Sequence, residues 1–287
     1  MSSVDLLPVS CALCTNDSAE PVAIQNGYRM VQCAGCGFVY LSPRPDPEAL
    51  ISLYHYYHER NGKSAETWDV LMERNFRETA ALLEKWFPQH GRLLDIGCGY
   101  GHFIGMMRRH GWEVSGIEPS KNACAFAQSK GLPVVQNSFE SAEYPAGSFD
   151  AITAFYVLEH VYDPLTVLKK IRSLLKPGGM LVLRIPHTTP IVRLLALIGV
   201  RNNLYDAPFH LSDFSPGTIR CALEKTGFKE IRVVPGHPTV PPRRGERLVS
   251  LAAGNAARLL FSASGGRLLM PGVSKTVTAR NQESRDA

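Results

Sequence analysis

From Arg92 onward, short apolar runs alternate with segments of helical periodicity, and this alternation restricts the fold more than any other property of the chain. The predicted strands are Leu93–Ile96, Glu113–Ile117, Pro133–Gln136, Phe149–Phe155 and Met180–Ile185, with helices at Gly101–His110, Ser120–Lys130 and Asp163–Leu175 between them. A short, nearly continuous apolar run followed by a helix is what a parallel strand buried on both faces requires, so the expectation is α/β with a doubly wound sheet. Ile231–Val234 and Thr276–Ala279 read as two further strands. Upstream, Val70, Leu71, Phe76, Ala80, Leu83 and Phe87 recur at helical spacing, predicting a helix from Glu66 to Phe87.

The first strand of this region runs straight into Gly97-Cys98-Gly99-Tyr100-Gly101. Glycines there allow positive φ and close approach of a ligand to the backbone. Dinucleotide enzymes share the Gly-x-Gly pattern, but two acidic residues alter the reading. Asp95 precedes the loop by two positions, where it would repel a pyrophosphate and attract an ammonium. Glu118 ends the second strand, where a carboxylate can accept hydrogen bonds from both ribose hydroxyls.

These residues resemble the class I S-adenosylmethionine-dependent methyltransferases over about residues 92 to 186. The matching motifs occur in order: Leu94 to Gly101, Gly116-Ile117-Glu118-Pro119-Ser120, Pro145 to Asp150, Leu158-Glu159-His160-Val161 and Leu175-Lys176-Pro177-Gly178-Gly179. The resemblance implies a Rossmann-like fold and S-adenosyl-L-methionine as cofactor. It also implies that the loop Gly97, Cys98, Gly99 and Gly101 borders the methionine part and the ribose, with Asp95 near the amino group and Glu118 on the ribose. Ser138 and Phe139 stand where many members carry an aspartate that contacts adenine. Phe155 or Tyr156 would flank the cofactor.

Four of the seven cysteines form two Cys-x-x-Cys pairs, Cys11 with Cys14 and Cys33 with Cys36. Two such knuckles complete a four-cysteine zinc site, and Gly35 and Gly37 suit the second knuckle. Disulfides are disfavoured in an intracellular chain, and a redox motif would be single and followed by a helix, whereas Cys36 leads into the strand-like Gly37-Phe38-Val39-Tyr40. The expected role is structural: Zn²⁺ holding a ribbon too small to fold on its own core. Followed by Pro-Arg-Pro and a Tyr-rich stretch, Leu53 to His58, this pattern resembles small zinc-bearing methyltransferases of sugar and surface-polysaccharide pathways. The expected organisation is a zinc ribbon over 1–45, a helical linker over 46–90 and a methyltransferase domain over 91–287. Insertions fall at about 188–215 and 236–272.

The net charge of +5 is unevenly placed. From Arg220 onward there are 12 Lys/Arg against 5 Asp/Glu, whereas the first 219 residues carry 19 against 21. The motif-bearing part is near neutral, which argues against a nucleic-acid partner. The basic excess accompanies Leu248, Leu251, Leu259 and Leu260, together with Arg247, Arg258 and Arg267, in an amphipathic helix able to meet a membrane or a partner. No secretory signal is visible, and the chain reads as cytoplasmic.

An acceptor hydroxyl or carbon would need a general base, for which His187, His210 and His160 are the candidates. His187 follows the fifth strand, His210 lies in the first insertion, and His160 either packs near the cofactor or acts in catalysis. The function expected is methyl transfer to oxygen or carbon of a small-molecule, saccharide or lipid-linked acceptor. An RNA methyltransferase and a catalytically silent binding module are the alternatives. Tyr156, three places before Glu159, stands where ubiquinone-type methyltransferases carry an acid, which weighs against a catalytic metal.

Overall fold

The computed structural model describes residues 6–54, 65–237, 244–266, 269–270 and 274–282. Residues 55–58 of the Tyr-rich stretch, and Arg267, lie outside the described residues.

Every strand expected in the α/β region forms. A seven-stranded sheet contains β6 (Arg92–Ile96), β7 (Glu113–Ile117), β8 (Val134–Val135), β9 (Phe149–Phe155), β10 (Leu175–Ile185), β12 (Lys229–Pro235) and β13 (Lys275–Arg280), in the order β12-β13-β10-β9-β6-β7-β8. The five strands β10 to β8 in that order are parallel, and β13 is antiparallel to both its neighbours. The chain moves outward from β6 in one direction and returns through β9 in the other. The order therefore reverses between β6 and β9, and a crevice opens beyond their carboxyl ends.

Alternation along the strands feeds two apolar layers. Leu94, Ile152 and Leu181 join one core with Val167, Leu168 and Ile171 of α5 (Pro164–Leu174) and Ile219 and Leu223 of α7 (Pro216–Lys225). Leu93, Ala151 and Val182 join the other, with α2 (Ala65–Trp86), α3 (His102–Arg109) and α4 (Lys121–Ser129). The apolar stripe of α2 buries Met72, Phe76, Ala80 and Leu83, but Val70 is turned to solvent. Asp163 caps α5 by accepting from the N–H groups of Leu165 and Thr166, and Ser215 and Thr218 form a capping box on α7.

The N-terminal segment folds as β2 (Ala19–Gln25), β3 (Tyr28–Cys33) and β4 (Val39–Leu41), with β1 (Leu6–Leu7) on β5 (Arg44–Pro45) and α1 (Pro47–Tyr54) following. A fourth strand completes this small sheet from far along the chain. β11 (Ser212–Asp213) pairs with β4, Ser212 opposite Tyr40 and Asp213 opposite Val39. Phe38 packs on Phe214 with ring centroids 4.9 Å apart, so the ribbon and the large sheet share one core.

The first expected insertion carries α6 (Thr189–Leu197) and β11. The second carries α8 (Arg244–Ala263), which spans the amphipathic stretch expected around Leu248 to Leu260. Leu248 and Leu259 are exposed on it. No helix among the described residues is long and apolar enough to cross a membrane.

Candidate active site and cysteine cluster

The loop after β6 turns on three glycines with positive φ: 66° at Gly97, 54° at Gly99 and 80° at Gly101. At Gly97 the requirement is doubled, because a Cβ there would lie 2.6 Å from Val157 Cγ2. Cys98 is buried within the turn, its N–H donating to the Ile117 carbonyl at 3.0 Å. Glu118 clamps the loop from the neighbouring strand. One carboxylate oxygen accepts from Gly99 N–H and the other from Ser120 N–H, both at 2.8 Å. Burial pushes the Glu118 pKa up against these two donors.

Asp95 is buried on β6 and accepts from Thr153 Oγ1 at 2.6 Å. Its pKa is raised to about 8, chiefly by burial, with the Glu118 charge adding to the rise. A buried carboxylate of this kind favours a cationic partner. The loop and the two acids thus fit the polar end of S-adenosylmethionine, whose ammonium and ribose hydroxyls match them.

The remaining residues expected near the cofactor have these surroundings. Phe139 is buried in the core with Lys170 Nζ 5.1 Å from its ring centre, and Ser138 closes a turn onto Ser141. Phe155 is buried against Phe76 and Phe103, with centroids 5.1 and 4.9 Å away. Tyr156, held at φ 58°, is the aromatic at the end of β9, with Trp68 edge-on at 6.3 Å.

Beyond the ends of β9 and β10 lies a polar cluster that sequence reasoning saw only in part. His160 and His210 meet edge-to-face at 4.6 Å, and His160 Nδ1 bonds the Phe209 carbonyl at 3.0 Å. Glu159 is fully buried, and neither of its carboxylate oxygens has a hydrogen-bond partner among the described residues. One ligand atom each from Glu159, His160 and His210 lies within 4.8 Å of the others. Burial raises the Glu159 pKa to about 8 and lowers that of Lys275, also fully buried, to about 8. The Lys275 ammonium donates to the Pro186 carbonyl.

His187 does not belong to the Glu159–His160–His210 group, but shares Lys275 and Asp213 with Glu159 as charged neighbours. Burial, then the Lys275 charge, lowers its pKa to about 4. Asp213, on the strand shared with the ribbon, accepts from Thr188 N–H at 3.1 Å and Thr189 N–H at 2.8 Å at the start of α6. Glu159 sits in the Leu158-Glu159-His160-Val161 motif without a predicted role, and Asp213 and Lys275 belong to no motif, Lys275 standing one place before the expected strand Thr276–Ala279.

At the other end of the ribbon the four cysteines converge. Sγ atoms of Cys11 and Cys36 lie 3.5 Å apart and those of Cys14 and Cys33 3.4 Å, with all four within 4.8 Å of one another. Four thiolates on a tetrahedral Zn²⁺ at ~2.3 Å stand ~3.8 Å apart, whereas a disulfide needs ~2 Å. The arrangement is consistent with a zinc ribbon. Burial resists ionisation at Cys33, yet the N–H of Cys36, the Cys14 thiol and the N–H of Gly35 bring its pKa down to about 7.

A profile of the methyltransferase domain matches residues 68–233, more than half of the chain. The chain belongs to the methyltransferase family. This methyltransferase is 34% identical over 174 residues to a ubiquinone biosynthesis O-methyltransferase of Xanthomonas axonopodis pv. citri (strain 306), covering 57% of this chain and 72% of the relative. Its fold is similar to that of a Haemonchus contortus phosphoethanolamine N-methyltransferase 2 solved with S-adenosyl-L-methionine, at TM-score 0.56 and 18% identity over 85% of this chain and 63% of that one. A methyltransferase from Archaeoglobus fulgidus matches at TM-score 0.50 and 22% identity, over 79% of this chain and 99% of the other. The protein is an S-adenosylmethionine-dependent methyltransferase with a class I fold.

Proposed function

We propose that this methyltransferase methylates a hydroxyl oxygen of a small-molecule, saccharide or lipid-linked acceptor. The observation that carries the reading is the His160–His210 pair, with His160 on the segment that follows the C-terminal end of β9. An oxygen acceptor sheds a proton as it attacks, and an imidazole within hydrogen-bond reach can take it. The name of the Xanthomonas relative, an O-methyltransferase, supports oxygen over carbon.

S-adenosylmethionine brings the reactive methyl group on a sulfonium. The chain's own residues do the rest. Gly97, Cys98, Gly99 and Gly101 would receive the methionine and ribose portions, Glu118 the ribose hydroxyls and Asp95 the ammonium. His210 is assigned as the proton acceptor, with His160 fixing its orientation. His187 is the weaker base, because a group held near pKa 4 gains little by taking a hydroxyl proton. Asp213 orients the start of α6 and so the wall behind His187.

Zn²⁺ on Cys11, Cys14, Cys33 and Cys36 would hold the ribbon against the insertion that bears His210. The ribbon spans roughly the first 45 residues and the methyltransferase domain follows the helical stretch that ends near residue 90. A second reading is favoured by the unpartnered Glu159 oxygens: with His160 and His210 they form a donor set for a divalent cation that would bind the acceptor oxygen.

The test is mass spectrometry of cell extract incubated with isotopically labelled cofactor, followed by the purified acceptor with His210→Ala and His160→Ala. Retained cofactor binding with turnover reduced by about 10²–10⁴ is expected. Full turnover in both variants would sink the base assignment. Activity abolished by chelator and restored by Mg²⁺ or Mn²⁺, with zinc retained, would favour the second reading.

A further inference from the structure

A cavity of about 640 Å³ lies between α2 and α8, lined by Arg74, His237, Asn255, Arg258, Leu259 and Ser262. It belongs to none of the groups described so far, but it adjoins them. His237 follows the C-terminal end of β12, and its carbonyl accepts from the buried Arg184 guanidinium. Arg184 Nε in turn donates to Tyr156 Oη at 2.9 Å, and Tyr156 stands at the end of β9 where the strand order reverses. The cavity is therefore two side chains from the mouth of the methyl-transfer site, on the same edge of the sheet.

Its charge is unbalanced. Arg74, Arg184 and Arg258 approach the His237 ring, and among the described residues Glu78 is the one carboxylate beside them. Arg184 is fully buried and engaged by His237, Tyr156 and Thr276. The other two guanidiniums are exposed. Arg258 Nη1 contacts both ring nitrogens of His237, Nε2 more closely than Nδ1, and Nε2 also lies 2.9 Å from Glu78. Arg258 also reaches Glu78 at 3.4 Å. Arg74 makes no hydrogen bond or ion pair with any described residue. Burial and the neighbouring arginines hold the His237 pKa at about 4, so the ring is neutral and the excess charge lies on the guanidiniums.

We propose that this cavity binds an anionic group, a phosphate or carboxylate, carried by the methyl acceptor, with Arg74 and Arg258 as its cationic contacts. The Glu78 carboxylate occupies the position of such an anion in part, leaving Arg74 for the ligand. Planar guanidiniums bind oxyanions through paired N–H donors, and Asn255 and Ser262 add neutral donors at the rim. The assignment to the acceptor rests on the proposed function; the anion site itself does not.

Calorimetric titration of the full chain with inorganic phosphate at low ionic strength tests the site without any methyl transfer. Saturable binding is expected, weakened about tenfold or more in Arg74→Ala and in Arg258→Ala, since each removes a charge-assisted contact. Glu78→Gln moves the other way and tightens binding several-fold. The arginines are exposed, so circular dichroism and cofactor affinity should match the unsubstituted chain. Phosphate affinity unchanged in both arginine variants, or insensitive to Glu78→Gln, overturns the proposal. Co-sedimentation with phosphatidylglycerol vesicles separates the sources. Retention lost in Arg258→Ala assigns a lipid phosphate, whereas saturable free phosphate without retention assigns a soluble acceptor. A chain that binds phosphate as expected but transfers no methyl group refutes the proposed function and leaves the anion site standing.

Discussion

Replacing Glu118 by glutamine tests the cofactor site at the residue that joins the glycine loop to the neighbouring strand. The carboxylate accepts from Gly99 N–H and Ser120 N–H at 2.8 Å each, one on each oxygen, at the strand end where the ribose hydroxyls are expected. A glutamine has one carbonyl. Whichever backbone donor it keeps, the other faces an NH₂ and loses its partner. A hydrogen bond to a charged group is worth ~1.5–3 kcal/mol, and the one that survives becomes a weaker neutral bond. The ribose contacts weaken in the same way. A loss of ~2–3 kcal/mol in cofactor affinity follows, or roughly 30- to 150-fold in Kd. Isothermal titration with S-adenosylmethionine and with S-adenosylhomocysteine measures it. Both ligands should suffer alike, since the ribose is common to them and the methyl group is not. Glu118→Gln binding the cofactor within about threefold of the unsubstituted chain would refute the clamp.

Other perturbations follow from the same geometry. Gly97→Ala combines positive φ with a Cβ driven against Val157 Cγ2, so it should cost ~2–4 kcal/mol of stability and abolish cofactor binding. Adding Val157→Ala should restore only the steric part, as read by chemical denaturation. Asp95 titrates near 8 in the fold against an ordinary 3.8, so between about pH 4 and pH 8 the folded chain holds a proton that the unfolded chain has lost. Stability of the cofactor-free protein should therefore fall as pH rises through that window and level off above it. Asp95→Asn should reduce the decline, with Glu159 accounting for part of the remainder. Elemental analysis should find one zinc per chain, and Cys11→Ser or Cys33→Ser should lose it. Because Asp213 pairs with the ribbon while the glycine loop does not, metal loss should reduce turnover far more than cofactor affinity.

The strand Phe149–Phe155 was legible residue for residue because both its faces are buried, and Glu113–Ile117 was legible from its short run into Glu118 although Glu113 is exposed. At the edge of the sheet the signal thins: Pro133–Gln136 contributes only Val134 and Val135 to pairing. β10 starts earlier than its apolar run, since Leu175 already pairs with Phe149 before the irregularity at the glycines. β11 left no pattern at all, because two polar residues become a strand only when β4 lies beside them. The glycine loop and Glu118 could be read directly, since positive φ demands glycine and the carboxylate ends a strand. Phe139 and Phe155 could not be placed, because an aromatic near a cofactor and one in the core look alike in sequence. Glu159, Asp213 and Lys275 come together only through β9, β11 and β13, which no local pattern connects.

The pairing of Ser212 and Asp213 with β4 also bears on the order in which the chain can assemble. Tyr40 and its partner Ser212 are about 170 residues apart in sequence. The cysteines and the hairpin of β2 and β3 leave the ribosome early and can close locally. β4 must then wait, with its outer backbone groups unpaired, until the strands of the large sheet and the first insertion have been made. Metal capture would be an early event of synthesis and completion of the ribbon sheet a late one. An unfinished chain would present a bare strand edge, a site suited to a chaperone or to a neighbouring nascent copy.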